Sequence, residues 1–524
     1  RPSDVDYRLW WRTVEREAIL DSEPTRNGAR LITFPHEFYG VHSLQDMPLS
    51  IVAQAENGGN DSALKYLKLC KAESERLVKV TIRGEFEARF LERMYSVSAD
   101  DTTPADSDVN KLRREAIEMA AKKYLLPAAV RHERTELLKK SREHLLQLCT
   151  EKLEKIATQA ALPMAPVTPE IAAEVRKVRR ERKRRAAPDG SGGYSDMSDD
   201  DQDSDDEDGY SNNGNRLQRL AAVFVPPEGS KMGKAVIVCV DADGEVLDHH
   251  NLPKARNRED LKASLKAFLE LWCPRMVLVN TSGGMDSENV YKSLSYTIQD
   301  FNKELSVRAF PDEYAPQVDE YGNPLVSQNG PREMVVLCDY ADDTIASLVA
   351  RSDVVQQNIS PTYGPPLRAA ICLARFVQRP LMSICSLWKD RGSSSPGGLV
   401  MAVRTHAMQN YLSPGTLVRA FERVLVRATA LVGCDLNRAL RYWHMESTLQ
   451  FVPGLGARKA RALLMQIRAQ LSARKARGSG SQYSGSDRGL TCREDLRDGL
   501  DGMGILLGER VFNNACSFLL FKPV

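Results

Sequence analysis

The segment Leu449–Leu464, LQFVPGLGARKARALL, places two glycines and three cations around one tight turn. An apolar helix is expected to end at Val452, followed by the turn Pro453-Gly454-Leu455-Gly456 and a basic amphipathic helix. Glycines admit backbone conformations closed to other residues and allow a phosphate to approach the main chain. The amides of the turn and of the following first helical turn then face an anion, helped by the helix dipole. This is a helix-hairpin-helix pattern, which holds the DNA or RNA backbone without reading bases. Its candidate contacts are Gly454, Leu455, Gly456, Arg458, Lys459 and Arg461. The competing reading is a helical hairpin whose glycines serve close packing alone. A base-excision enzyme of this design needs an Asp soon after the hairpin, but Ala457–Ser486 contains no acidic residue.

Other chemical candidates are weaker. NTSGGMDS (Asn280–Ser287) is a Gly-rich turn that could receive a phosphate, yet no Walker-type Lys follows Gly284. A plain strand-to-helix connection with Asp286 or Ser287 as N-cap accounts for it better. His249 and His250 are adjacent at a strand end, so they face opposite sides and make a poor metal pair. Trp10 and Trp11 read as core or interface groups rather than a base-stacking platform. Ten cysteines are scattered, the closest pair being Cys372 and Cys385, which gives neither a CxxC zinc site nor a disulfide scaffold. A reducing compartment is expected, with no cofactor and no metal.

The elements that would carry these residues span 524 positions, room for about three to five domains. With 42% apolar and 27% charged residues the composition is that of packed globular domains. No stretch approaches the ~18 uninterrupted apolar residues of a spanning helix, and no secretory signal pattern opens the chain, so no membrane partner is expected. The chain opens on Arg1 rather than Met, as a piece of a longer protein or a processed chain would. The formal charge of +2 conceals a strong local asymmetry. From Arg176 to Arg185 eight of ten residues are basic, and from Asp196 to Asp208 nine of thirteen are acidic. Residues 170–215 therefore read as a disordered basic–acidic insert, or a frayed helix running into a polyampholyte. Its basic half fits a nuclear address, a nucleic-acid arm or a plain solvated linker. Ser195, Ser198 and Ser204 lie among the acids as possible phosphorylation sites.

Before the insert, residues 110–160 carry helical periodicity: Leu112, Ala116, Met119, Ala120 and Tyr124, an interruption at Pro127, then Leu138, Leu145, Cys149, Leu153 and Ile156. The first hundred residues are less regular, with turn-forming clusters at Pro24–Gly28 and Asn57–Asn60. After the insert the period changes. Strands are expected at Leu220–Val225, Lys234–Val240, Met276–Asn280 and Met334–Asp339, with DADG (Asp241–Gly244) turning a hairpin. Helices are expected at Arg258–Trp272, Ser287–Glu304, Asp342–Ala350 and Leu367–Val377, and the chain is mainly helical from Pro380 on, with breaks at Gly392–Gly398 and Gly478–Gly489. The fold class is thus multidomain α/β, predominantly helical, with a mixed sheet of the ribonuclease H-like kind. The expected division is an irregular, partly helical N-terminal region 1–109, a helical segment 110–169, the insert 170–215, the sheet domain 216–382, a helical linker with the hairpin 383–476, a flexible linker 477–490 and a second hairpin-like segment 491–524.

A ribonuclease H-like nuclease gathers carboxylates around divalent metal ions that stabilise both attacking and leaving oxygens. Here the first strand, LAAVFVPPEG, has no acid before Glu228, and Met276–Asn280 ends in Asn280, Thr281 and Ser282. Asp339 alone stands where a ligand is wanted, and Asp241 is explained by the turn it opens. One carboxylate does not make a two-metal site, so this domain is expected to lack catalysis.

The order of segments resembles that of the suppressor-of-Ty-six family of eukaryotic transcription elongation factors and histone chaperones, and more distantly bacterial Tex. EFYGVHSLQDMPL (Glu37–Leu49) is similar to one stretch of that family, and NKLRREAIEMAAKKYLLPAAVRHERTELLKKSREHLLQLCTEKL (Asn110–Leu153) to the helical segment after it. VDADGEVLDHHNLP (Val240–Pro253) and YGPPLRAAICLARFVQRPLM (Tyr363–Met382) resemble a hairpin and the closing helix of its YqgF-homology domain. VGCDLNRAL (Val432–Leu440) followed by LQFVPGLGARKA is the most specific likeness, and LLGERVFNNACSFLLF (Leu506–Phe521) resembles the next segment. The insert, the Ser/Gly tracts and Leu507-Gly508-Glu509 in place of Met-Gly-Pro depart from the family wording. The family's acidic tail, S1 domain and tandem SH2 domains have no counterpart in these residues, so contacts made through them are not carried over. The resemblance implies a helix-turn-helix character for the early helices and a non-enzymatic nuclear scaffold that associates with RNA polymerase II, binds histones and nucleosomes, and contacts nucleic acid. The alternatives are a metal-dependent nuclease or resolvase and a bacterial Tex-like nucleic-acid-binding protein.

Overall fold

A computed structural model describes residues 31–32, 62–74, 79–80, 108–159, 169–186, 219–227, 234–253, 258–311, 317–318, 324–325, 335–389, 396–477, 490 and 492–521. Trp10 and Trp11, the clusters at 24–28 and 57–60, the 37–49 likeness, Glu228, the acidic run at 196–208 and the tract 478–489 lie outside them. Two compact units are formed, residues 1–153 with 404–421 and residues 154–403 with 422–524.

In the first unit, α1 (Ser62–Ser74) buries Ala63 and Tyr66 against Leu137. The Tyr66 hydroxyl lies 3.5 Å from the Arg134 carbonyl, and Arg134 pairs with Glu73. α2 (Asp108–Ala120) and α3 (Leu126–Ala157) are joined by a π-helical turn, Ala121–Leu125. The helix therefore runs through Pro127 rather than stopping there. The carbonyl that Pro127 cannot serve is that of Lys123, inside the widened turn, which absorbs the missing hydrogen bond. Along α3 the buried positions recur at every fourth residue: Leu137, Ser141, Leu145, Cys149, Leu153 and Ala157. The earlier apolar residues behave differently. Leu112, Met119 and Tyr124 are exposed, at 66%, 67% and 63%. Periodicity identifies an apolar face but not what it packs on.

The second unit holds a five-stranded mixed sheet made of β1 (Leu220–Phe224), β2 (Val236–Val240), β3 (Val246–Asn251), β4 (Met276–Asn280) and β5 (Leu337–Ala341). Its order is β3-β2-β1-β4-β5. β1 to β3 form an antiparallel meander, while β4 and β5 run parallel to β1. β1, β2 and β4 are buried throughout, which is why they read as unbroken apolar runs instead of alternating ones. On one face Ala221, Val223, Ile237, Val277 and Val279 meet α5 (Arg258–Trp272) and α6 (Met285–Ala309) through Leu265, Phe268, Leu294 and Ile298. On the other, α9 (Pro365–Gln378) crosses β1 and β2. Between these elements lie α7 (Thr344–Ala350) and α8 (Asp353–Asn358).

Residues 169–186 follow the helical one of the two readings for that stretch. They form helix α4 (Pro169–Ala186), whose Ile171 and Val178 enter the sheet core. The guanidinium of Arg179 sits 5.8 Å from the Trp272 ring centroid, and Arg182 lies 3.8 Å from the Glu270 carboxylate. Two apolar side chains on one face, with Glu270 and Trp272 of α5 meeting the cations, order a run that composition alone would leave solvated.

The β2–β3 turn is the joint of this unit. Asp241 Oδ1 accepts the amides of Asp243 and Glu245, and Gly244 adopts φ +87°. α9 grips the turn from one side: Arg375 Nε donates to the Gly244 carbonyl at 2.7 Å, Gln378 to that of Asp241 at 2.7 Å, and Arg379 to that of Ala242 at 3.2 Å. After α10 (Pro380–Ser386), α11 (Pro414–Val432) and α12 (Leu436–Arg441), the chain returns to the same turn. The Asp243 carboxylate lies 3.1 Å from Arg379, 3.3 Å from Arg438 and 3.3 Å from the Tyr442 hydroxyl, and His444 Nε2 donates to the Asp243 carbonyl at 2.8 Å. Burial, with Arg375 and Arg379 close by, pushes the His444 imidazole down to about 3.

Replacing Asp243 with Ala leaves two partly buried guanidinia facing each other and should cost about 2–4 kcal/mol in urea unfolding, whereas Glu245→Ala, half exposed, should cost below about 1 kcal/mol. For His444 the folded state takes up its proton far below the unfolded value of about 6.5. Its contribution is complete above about pH 6.5 and is lost as pH falls toward 3, by up to about 1.4 kcal/mol per unit. His444→Gln should flatten the fall in stability between about pH 6.5 and 5 measured by denaturant titration; an unaltered slope would refute the assignment.

Candidate nucleic-acid interface

The predicted hairpin is present, with one change of detail. Its first helix is a 3₁₀ segment, Trp443–Phe451, and its second, α13 (Gly456–Arg477), begins directly at the turn. The Leu455 amide donates to the Val452 carbonyl at 3.0 Å, and the Leu455 side chain is buried with Ala460, Leu463, Leu464 and Ile467. Leu455 is therefore an internal anchor of the turn, and its amide is already engaged. Gly454 and Gly456 both adopt positive φ, +88° and +74°. They differ in surroundings: a Cβ on Gly454 would lie 2.8 Å from Asn514 Cβ, while one on Gly456 would meet nothing within 4 Å. Packing thus explains the first glycine, and only backbone conformation explains the second.

The outer face of the hairpin is polar and positive. Arg458, Lys459 and Arg461 lie on it beside the exposed glycines, and Lys459 Nζ donates to the Gly454 carbonyl at 3.1 Å. The first-turn amides of α13 have no intrahelical acceptor, and the dipole places partial positive charge there. The turn is braced from behind by α14 (Asp495–Asp498) and α15 (Glu509–Ala515), whose neighbours Leu496, Leu500 and Leu507 share the hairpin core. Leu519–Leu520 pairs in parallel with Cys434–Asp435. At α15 the first turn carries Glu509, an acid that itself complements the helix dipole and disfavours a phosphate.

In the sheet, Asn280 is fully buried at the end of β4. Its amide nitrogen donates to the Val225 carbonyl at 3.0 Å and to Ser282 Oγ at 2.9 Å, and its oxygen accepts the Val225 amide at 2.7 Å. Ser282 in turn donates through its hydroxyl to Asp343, at 2.7 Å, and Ser347 Oγ does so at 3.2 Å. Asp343, 4% exposed, is not singled out by sequence; its only signal there is its place at the start of a helix. Every group in this network is used in holding strand ends and helix starts together. Asp339 lies in the middle of β5 rather than closing it, is exposed, and is paired in register with Leu278. Among the described residues no three His, Cys, Asp or Glu side chains gather as a metal site.

The remaining candidates resolve simply. Helix α6 starts at Met285 with Gly284 as N-cap, so neither Asp286 nor Ser287 caps it; Ser287 is instead buried against Asn280 at 3.4 Å. A Cβ on Gly283 would lie 2.7 Å from the Val225 carbonyl, so that glycine serves the tight closure of this turn on β1. The His249 ring lies 5.3 Å from that of Tyr363, tilted by 54°, and His250 meets Phe268 edge-on at 5.5 Å. Burial pushes the thiols of Cys239, Cys372 and Cys434 up to about 12, leaving no activated nucleophile among them. No helix among the described residues is long and apolar enough to cross a membrane.

Comparison with known proteins agrees with this architecture. A family described as a helix-hairpin-helix motif matches residues 399–479. Transcription elongation factor spt6 of Emericella nidulans is 24% identical over 97% of this chain and 30% of its own length. Transcription elongation factor SPT6 of Drosophila melanogaster is 22% identical over 86% of the chain and 21% of its own length. An SPT6-like elongation factor of Arabidopsis thaliana reaches 31% identity over 35% of the chain and 12% of its own length. The chain spans about 30% of the length of the fungal relatives it matches. The hairpin match and the similarity over nearly the whole chain make it distantly similar to the Spt6 transcription elongation factors.

Proposed function

We propose that this chain is a non-catalytic core segment of a nuclear transcription elongation factor and histone chaperone. It associates with RNA polymerase II and nucleosomes and holds nucleic acid by its backbone. The observation that carries the nucleic-acid role is the division of α13 into two faces. Leu463, Leu464 and Ile467 are committed to the core, while Arg458, Lys459 and Arg461 stand outside beside an open glycine turn. The strand order, with an antiparallel meander followed by two parallel strands, supports reading the sheet as ribonuclease H-like, of the YqgF kind. Its non-catalytic character is supported by Asn280, whose carboxamide bonds to both the N–H and C=O of Val225 where a nuclease would want a carboxylate. A carboxylate there has no N–H for the Val225 carbonyl.

Binding through phosphates releases counterions and is therefore salt-sensitive and tolerant of sequence. Replacing Arg458, Lys459 and Arg461 together with Ala should weaken duplex binding across all sequences and flatten the log–log salt slope by roughly 2–3, measured by fluorescence anisotropy. An unaltered slope would place the contact elsewhere.

The nuclease reading is favoured only by the sheet order and Asp339. Labelled junction and RNA–DNA hybrid substrates should stay intact with magnesium or manganese. Cleavage that disappears in Asp339→Ala would overturn the non-catalytic reading.

A further inference from the structure

Asp339 has no part in the function proposed above, yet its place on β5 gives it one. Among the described residues β3 and β5 are the outermost strands of the five-stranded sheet. An outermost strand turns alternate N–H and C=O groups away from its neighbour, and those groups are a template on which another strand can pair. The backbone bonds fix which residues these are. In β5 the Leu337 amide donates to the Arg275 carbonyl at 2.9 Å, and the Ala341 carbonyl accepts the Thr281 amide at 3.2 Å. Leu337, Asp339 and Ala341 therefore face β4, while Cys338 and Tyr340 direct their backbone groups outward. In β3 the Leu252 amide donates to the Ala235 carbonyl at 2.8 Å, so by the same alternation His249 faces away from β2.

On both strands a central outward amide is already taken, and in the same manner. The Tyr340 N–H donates to Asp339 Oδ1 at 2.7 Å, and the His249 N–H donates to Asp248 Oδ1, also at 2.7 Å. In each case the acceptor is the carboxylate of the residue immediately before, on the strand itself. A local bond of this kind competes with a ladder partner for the same backbone group. On β3 the aspartate is held by a second contact, since Asp248 Oδ2 accepts the Trp272 Nε1 hydrogen at 2.8 Å. On β5 the Tyr340 ring is fixed instead, stacked 4.0 Å from that of Tyr291, while Asp339 itself is exposed.

The strand most exposed to pairing with β5 is β5 of a second copy, because a two-fold axis through Asp339 satisfies both edges at once. Antiparallel pairing about that axis would match Cys338 of each copy with Tyr340 of the other, and would need both Tyr340 amides. It would also set the two Asp339 side chains directly opposite each other in a non-hydrogen-bonded pair. Side chains approach most closely there, and like charges destabilise the pair. We propose that Asp339 closes the β5 edge against strand pairing with a second copy of this chain. It does so chiefly by taking the amide that such a pair requires, and its charge at the axis adds to the effect. Asp248 takes the corresponding amide on β3.

Sedimentation velocity of the full chain over about a twentyfold range of concentration tests this. Asp339→Val suits a strand and offers no acceptor, and should raise the weight-average mass toward about twice that of the unaltered chain as concentration rises. Asp339→Asn keeps an acceptor for the Tyr340 amide while removing the charge, and should sediment with the unaltered chain. Asp339→Val combined with Tyr340→Pro removes the amide itself, which an outermost strand tolerates, and should abolish the association. Asp339→Ala also lacks an acceptor and takes the place of Asp339→Val if that variant does not fold. Three results would each overturn the proposal. They are Asp339→Val and Asp339→Ala sedimenting as the unaltered chain does, Asp339→Asn associating as strongly as Asp339→Val, and association that survives the added Tyr340→Pro.

Discussion

The carboxylate of Asp243 holds together stretches of the chain almost two hundred residues apart. It sits at the tip of a short β-hairpin, yet Arg379, Arg438 and Tyr442 all converge on it. Without that charge the sheet and the hairpin-bearing segment would each keep a hydrophobic core, because the two cores are built from different residues. What the turn supplies is orientation. Hydrogen bonds from α9 fix the turn against the sheet, and those from residues after α12 fix the next segment against the turn. A polar joint of this kind is directional where apolar packing is not.

A second device recurs through the unit. Asn280 on Val225, Asn302 on Val336 and Asn437 on Leu490 each use a buried carboxamide as both donor and acceptor to one residue's backbone. The carboxamide is the side chain that matches a peptide group in this way, so it can close a strand end where no neighbouring strand is available. Asn302 and Asn437 look unremarkable in sequence, and Asn280 draws notice only as the place of a missing acid. Each role depends on a backbone partner 34 to 55 residues away.

Legibility from sequence follows from how local the cause is. The strands of the sheet, the DADG turn and the glycine hairpin are readable because apolar runs and glycine positions act within a few residues. The α4 stretch is left open between a helix and a disordered run, since Glu270 and Trp272, which meet its cations, belong to α5. The exposure of Leu112 and Met119 escapes the sequence for the same reason, as amphipathicity reports a preference and not a neighbour. Within the candidate interface, sequence finds the glycines and the cations but cannot separate their roles. Only the distance from Gly454 to Asn514 shows which glycine packing demands.

The order found in α4 changes what its basic run offers to the outside. A receptor that reads cations along an extended strand needs the backbone uncoiled and several consecutive side chains free. Here Ile171 and Val178 anchor the run to the sheet. Lifting them into water would cost roughly 3–6 kcal/mol, enough to weaken such a reader by about a hundredfold to ten-thousandfold. The cations of the run are therefore presented on a helix, and a reader of an extended basic strand would first have to detach that helix.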